Sequence, residues 1–191
     1  PNVTLIDTAP LGVTEINENG VVHSSTEYPV DVLIYATGFQ WMATSTFNMI
    51  TGENGQTLKE KWETEGTKTF LGLHSKGFPN LFIISGPQGG GGQFNFTRII
   101  ESHSDYVIWM LKTLRERGAT KVDVETKAEN EYAEHCKIAD IKTRPLRDCI
   151  SYYNGHGEGE PGSLAYYGGA QKWHEHREEA QKTLKPYIFD E

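Results

Sequence analysis

The segment around residues 81–118 constrains the fold more than any other. From Phe96 onward the inward-facing positions expected are Phe96, Ile99, Ile100, His103, Val107, Met110, Leu111 and Leu114, the i, i+3, i+4, i+7 spacing of one helical stripe. Asn95 supplies a candidate N-cap, and Gly118, just after Arg115 and Arg117, a candidate C′ stop. Immediately upstream, the apolar run Leu81 to Ile84 reads as a strand covered on both faces. Ser85-Gly86-Pro87-Gln88 and the glycines 89–92 separate the two. A strand, a glycine loop and a helix in that order place helix N–H groups at the carboxyl end of a buried strand, where open α/β sheets bind ligands. The glycine run itself is either a flexible connector or a loop that passes close to a flat or anionic ligand.

The rest of the chain fills out an α/β reading. NVTLID (2–7) has the β-branched content of a strand, and GVTEINENGVVH (12–23) that of a hairpin turning at Asn19-Gly20. DVLIYATGF (31–39) carries a nearly unbroken apolar run, Val32 to Ala36, which predicts a second doubly covered strand ending in Thr37-Gly38. TFLGLHSKGFPNLFIISGP (69–87) predicts a short strand, a turn and the Leu81–Ile84 strand. Thr126-x-x-Glu129 reads as a capping box opening a helix from about residue 127 to 141, with Tyr132, Cys136 and Ile138 or Ala139 inward. A Tyr/Gly-rich stretch (151–169) precedes a final helix at 170–184. The expected division is a segment 1–118 of parallel strands, a β-hairpin region and the long helix, followed by a small, mostly helical subdomain, 119–191.

Composition narrows function by exclusion. A formal charge of −8 and a pI near 5.4 oppose a nucleic-acid partner, whose phosphates demand a basic face. The longest apolar run falls well short of the ~18 residues of a membrane span, so no membrane is expected and the location expected is cytoplasmic. Cys136 and Cys149, the two cysteines, match neither a metal knuckle nor a disulfide framework, and both are expected to be structural thiols. His174 and His176, two apart on a helix, do not share a face; no metal site is expected. His103 on the apolar stripe reads as a packed histidine bonded to backbone or a neighbour, Arg98 as a surface residue, and residues 170–182 as a solvated face. The chain begins with Pro1, and a piece of something longer is expected.

DVLIYATGF, TLKEKW (57–62), TFLGLHSKGFPNLFIISGP and NFTRIIESH (95–103), in that order, resemble the C-terminal part of flavin-dependent Baeyer–Villiger monooxygenases, particularly those acting on bulky or cyclic ketones. The resemblance runs from about residue 2 to about 168. It implies a fold: the closing part of a Rossmann-type FAD-binding domain followed by the C-terminal subdomain. It also implies an activity. Such enzymes use FAD and NADPH to insert one oxygen atom of O2 beside a ketone carbonyl, the flavin doing the hard chemistry while the protein positions and protects it.

By resemblance, Gly38 matches the family glycine near FAD, although a turn alone would also explain it. Gly86 and Pro87 match the turn leading to the isoalloxazine. Asn95, Phe96 and Thr97 sit where the helix meets the flavin's pyrimidine edge, where a helix N-terminus favours the negative charge of reduced flavin; simple capping by Asn95 is compatible with that role. Gly91, Gly92, Gln93, Phe94 and Phe96 match the ketone pocket, the glycines leaving it wide. SYYNGHGEGEPG (151–162) resembles an NADP-contacting element with Tyr152 in place of the family's tryptophan and Ser163 where a lysine is usual.

No G-x-G-x-x-G opens a βαβ unit in this chain. The resemblance puts both nucleotide fingerprints, the signature histidine motif and the catalytic arginine upstream, so no catalytic residue is assigned here. The partner it implies is an N-terminal remainder, with a ketone and O2 as substrates, and the isolated chain is expected to be inactive. Two alternatives stay open: an N- or S-oxidising flavin monooxygenase, and a non-catalytic binding module.

Overall fold

The computed structural model describes residues 2–38, 45–90, 95–143 and 164–190. They fall into two compact units, divided between residues 38 and 39.

The first unit holds one three-stranded antiparallel sheet, β1 (Glu15–Ile16), β2 (Gly20–His23) and β3 (Thr26–Pro29), in the order β1-β2-β3. The predicted hairpin is present, but its turn is shifted. Ile16 pairs with Val21 and Asn17 N–H donates to the Gly20 carbonyl, so Glu18 and Asn19 form the turn, and the Asn17 carboxamide accepts from the N–H groups of Asn19 and Gly20. β3 has no counterpart in the sequence reading. It follows a two-residue turn in which Ser24 and Ser25 have φ of 49° and 65°, the left-handed pair that the twist of a tight hairpin demands.

Two predicted strands in this unit are absent. Residues 2–7 form no strand, and neither do residues 32–36. The latter run is exposed rather than doubly covered: Val32 is 75% exposed, Ile34 82% and Tyr35 68%. The reason is a missing ladder. A strand's N–H and C=O groups are satisfied only by a neighbour, and no strand among the described residues pairs with it.

The second unit contains α1 (Thr46–Met49), α2 (Leu58–Glu65), α3 (Phe96–Arg117), β4 (Lys121–Val124), α4 (Thr126–Thr143), α5 (Ala170–Thr183) and β5 (Tyr187–Asp190). The chain is thus of mixed α/β content, and every strand pair among the described residues is antiparallel. Residues 81–84, expected as a buried strand, are irregular and half-buried, with Ile84 exposed. The expected short strand near residue 70 reduces to one bridge, Phe70 with His74, around a tight turn.

α3 follows its prediction at both ends. Asn95 Oδ1 accepts from Thr97 N–H and Arg98 N–H, and Gly118 is left-handed (φ 68°), its N–H bonding back to Arg115 and Leu114 carbonyls. The buried face differs in detail. It comprises Ile99, Ser102, His103, Tyr106, Met110, Thr113 and Leu114, while Phe96, Ile100 and Leu111 point to solvent. The core this face builds includes Leu71, Leu73, Val122, Tyr132, Tyr166, Trp173 and Tyr187. At its centre Tyr106 donates to the Tyr187 hydroxyl at 2.7 Å and meets His74 Nε2 at 2.8 Å. β4 pairs with β5, Val122 opposite Phe189, two strands outside the helices expected at about 127–141 and 170–184.

The anticipated capping box at Thr126 and Glu129 does not form. Glu129 points inward to Lys61 Nζ, at 2.8 and 2.9 Å, and accepts from Lys76 N–H and the Ser75 hydroxyl. The box occurs instead at α2, where the Thr57 hydroxyl accepts from Glu60 N–H and the Glu60 carboxylate from Thr57 N–H. Tyr132 and Cys136 are inward as expected, both buried, whereas Ile138 is exposed. Cys149 lies outside the described residues. Among the described residues no helix is long and apolar enough to cross a membrane, and no cluster of metal-ligating side chains is present.

Candidate cofactor-facing site

The turn at 85–90 and the start of α3 are adjacent in sequence, and one imidazole joins them in space. His103, fully buried on α3, accepts from Ser85 N–H at Nδ1 (3.0 Å) and meets the Gly89 carbonyl at Nε2 (3.2 Å). An N–H donor at Nδ1 leaves that nitrogen without a proton, so Nε2 carries it and donates to Gly89. Burial pushes the His103 pKa down to about 4, opposed by the bond to Gly89, and the ring is neutral at pH 7. It stacks on Trp173 of α5, the ring centroids 5.2 Å apart.

Gln88 holds the same turn from the other side. Its carboxamide oxygen accepts from Thr69 N–H and hydroxyl, its amide donates to the Thr67 carbonyl, and its backbone carbonyl accepts from the Tyr132 hydroxyl. Thr69 Oγ1 also donates to the Pro87 carbonyl. Ser85 and Gln88 have φ of 57° and 64°, a conformation costly for residues with a Cβ and kept only where the surroundings impose it. The hold of Gln88, Thr69 and Tyr132 on this turn escaped the sequence reading, because partners 19 and 44 residues apart leave no local signal.

The glycines of the turn answer to internal packing. A Cβ on Gly86 would lie 2.6 Å from the Gly72 carbonyl oxygen, one on Gly89 2.6 Å from His103 Cε1, and one on Gly90 2.4 Å from Ile99 Cδ1. Gly38 differs: its φ is +87° and nothing stands within 4 Å of its added Cβ, so its backbone conformation alone asks for glycine. Asn95, Phe96 and Thr97 are all exposed at the helix start, Phe96 at 62%. Arg98 forms a surface ion pair with Glu101, as expected. A cavity of about 170 Å³ opens beside them, lined by Asn95, Arg98, Ser102, His103, Trp173 and His174 among others. Gly91, Gly92, Gln93, Phe94 and Tyr152 lie outside the described residues.

No family model matches the chain. It is 33% identical over 199 residues to a Baeyer-Villiger monooxygenase of Penicillium patulum, covering 96% of this chain and 32% of that protein. A Baeyer-Villiger monooxygenase of Streptomyces coelicolor is 35% identical over 91% of the chain, and 30% of that protein is covered. By sequence the chain is similar to Baeyer–Villiger monooxygenases over most of its own length. It spans about a third of the length of the curated relatives it matches. An oxidized steroid monooxygenase solved bound to NADP superposes over all of the chain and 36% of its own, with a TM-score of 0.77 and 28% identity. A protein named OTEMO, solved in complex with FAD and NADP, superposes over 98% of the chain and 36% of its own, with a TM-score of 0.78 and 25% identity. These matches do not favour an N- or S-oxidising enzyme or a free-standing module.

For a flavin the chain offers one suitable feature. Asn95, Phe96 and Thr97 stand exposed at the positive end of a 22-residue helix, where Asn95 Oδ1 accepts from the Thr97 and Arg98 N–H groups and from the Thr97 hydroxyl. An exposed aromatic ring and a helix N-terminus suit a flat, electron-rich cofactor edge. Gly86 would not touch it through bareness, since its missing Cβ is required by Gly72.

Proposed function

We propose that the chain is the C-terminal part of an FAD- and NADPH-dependent Baeyer–Villiger monooxygenase, which inserts one oxygen atom of O2 next to a ketone carbonyl to give an ester or lactone. The observation that supports this most directly is the exposed helix start Asn95–Thr97 beside a turn fastened from within by His103, Gln88 and Tyr132. Residues 1–118 close a Rossmann-type FAD-binding domain and residues 119–191 form a C-terminal subdomain, packed together through the core that Leu71 and Tyr106 share with Tyr132. The N-terminal remainder of the polypeptide is the partner that covers Val32 to Tyr35, and the whole enzyme is cytoplasmic.

Bound FAD supplies the activation of O2 with electrons from NADPH. The chain's own contributions are positional. Gly38, Gly86 and Pro87 shape the backbone next to the cofactor; Asn95, Phe96 and Thr97 present the helix dipole, worth about half a unit charge, to the ring; Tyr152 contacts NADP. Gly91, Gly92, Gln93, Phe94 and Phe96 bound the pocket of a bulky or cyclic ketone.

The test is a pair of preparations. The purified 191-residue chain shows no flavin absorbance and oxidises no NADPH, while the full-length protein carries FAD and transfers one ¹⁸O atom from ¹⁸O2 into an ester. Stoichiometric FAD on the short chain would remove the need for the N-terminal remainder, and unlabelled or absent ester would remove the activity. In the full-length protein, valine at positions 91 and 92 impairs large ketones more than small ones; equal losses would discard the pocket assignment.

A further inference from the structure

We propose that His103 is the positioning residue of the Ser85–Gly89 turn, its Nε2-protonated ring clamping both ends of that turn to α3. The catalytic consequence rests on the flavoenzyme reading above; the clamp itself does not.

Three observations converge. First, the two bonds of the ring fall on the two ends of one turn, Ser85 N–H and the Gly89 carbonyl. A side chain that accepts at one edge and donates at the other is required, and a neutral imidazole does both. Second, Ser85 and Gln88 are left-handed despite their side chains, so the turn relaxes when its restraints go. Third, the ring fills its place completely: it stacks on Trp173, and even a methyl group on Gly89 would lie 2.6 Å from Cε1. Arg98 and His174 are the other titratable groups lining the adjacent cavity; neither is a carboxylate that would favour charging the ring.

The clamp is separable from its surroundings. Gln88 is held by Thr69 and Thr67 through bonds in which His103 takes no part. Loss of His103 therefore leaves the Ser85 N–H and the Gly89 carbonyl without their imidazole partner while Gln88 stays fastened, which general loosening would not do.

The experiment uses the full-length protein at pH 7, with His103→Leu to remove both bonds and His103→Gln to restore a donor and an acceptor. In the wild type, imidazole ¹⁵N shifts report a protonated Nε2 and a bare Nδ1. In His103→Leu, amide exchange at Ser85 accelerates about tenfold or more while Thr69, bonded to Gln88, keeps its rate. The KM for a bulky ketone rises about tenfold with kcat changed less, a loss of ground-state placement, and His103→Gln lies between. Acceleration at both amides together, at neither, or a ring protonated at Nδ1 would overturn the proposal. Should His103→Leu fail to fold, His103→Gln carries the exchange comparison and the wild-type ring the tautomer. A full-length protein that oxygenates no ketone would sink the flavoenzyme reading and leave the exchange and ¹⁵N measurements to decide the clamp.

Discussion

The apolar run 32–36 and the helical stripe within 99–114 are both predicted by the sequence to be buried, yet their outcomes are opposite. α3 buries Tyr106 and Met110 completely, while Val32, Ile34 and Tyr35 stand in water. The difference is where each finds its hydrogen bonds. A helix closes its own N–H to C=O ladder within the segment, so its stripe needs only one apolar neighbour, which Leu71, Val122 and Trp173 supply. An extended run closes nothing within itself and waits for strands on both sides. Among the described residues no strand pairs with 32–36, so that run has no ladder to close, while the helix needs none.

The sharpest way to break this comparison is hydrogen exchange on the short chain and on the full-length protein. In the short chain, amides 32–36 exchange at nearly unprotected rates while those of 106–114 are slowed by orders of magnitude; in the full-length protein, both are slow. Protection at 32–36 in the short chain would mean that these residues find a partner unaided.

The same contrast explains what the sequence made legible. α3 with its Asn95 and Gly118 ends, α5, the inward Tyr132 and Cys136, and the packed role of His103 follow from spacings of three or four residues or from one cap. What failed depends on distant partners. β4 and β5 pair Val122 with Phe189, and no local pattern announces it. Thr126-x-x-Glu129 has the letters of a capping box, but Glu129 is claimed by a lysine 68 residues away. Of the residues proposed to face the cofactor, Asn95 was legible through its capping geometry, whereas the hold on the neighbouring turn by Gln88 and Thr69 was not.

The Lys61–Glu129 pair inverts the comparison: here charge is buried, the two side chains 5% and 2% exposed, where residues 32–35 leave apolar surface in water. The pair is tolerated because every partner is supplied, Ser75 and the Lys76 backbone included. Lys61→Met strands the Glu129 carboxylate and lowers stability by about 3–5 kcal/mol, while adding Glu129→Leu restores most of it. Chemical denaturation of the single and double variants measures both; a single variant as stable as wild type would show that water reaches the carboxylate.

Acid is the next lever on the helical side. His74 and His103 are both pushed down to about 4 by burial. Above about pH 6.5 both rings are neutral whether the chain is folded or not, and their contribution is constant. Between about 6.5 and about 4 the unfolded chain binds protons that the folded one refuses, so stability falls with falling pH, by up to about 1.4 kcal/mol per pH unit for each ring. Melting temperatures at pH 7, 6 and 5 read this slope, and a flat profile would place both rings in contact with water.

The smallest effect gives the comparison its strictest test. Ile34 is 82% exposed, so Ile34→Thr in the short chain removes no packing and changes stability by no more than about 0.5 kcal/mol. In the full-length protein the same substitution loses buried methyl groups and sets a hydroxyl into an apolar layer, at a cost of about 1–3 kcal/mol. Thr keeps the β-branch and strand propensity of Ile, so the gap between the two measurements isolates burial from backbone preference. Equal costs in the two proteins would mean that residues 32–36 stay exposed in the complete enzyme and that the sequence misled by its apolar run alone. A gap would locate the missing strands against this segment.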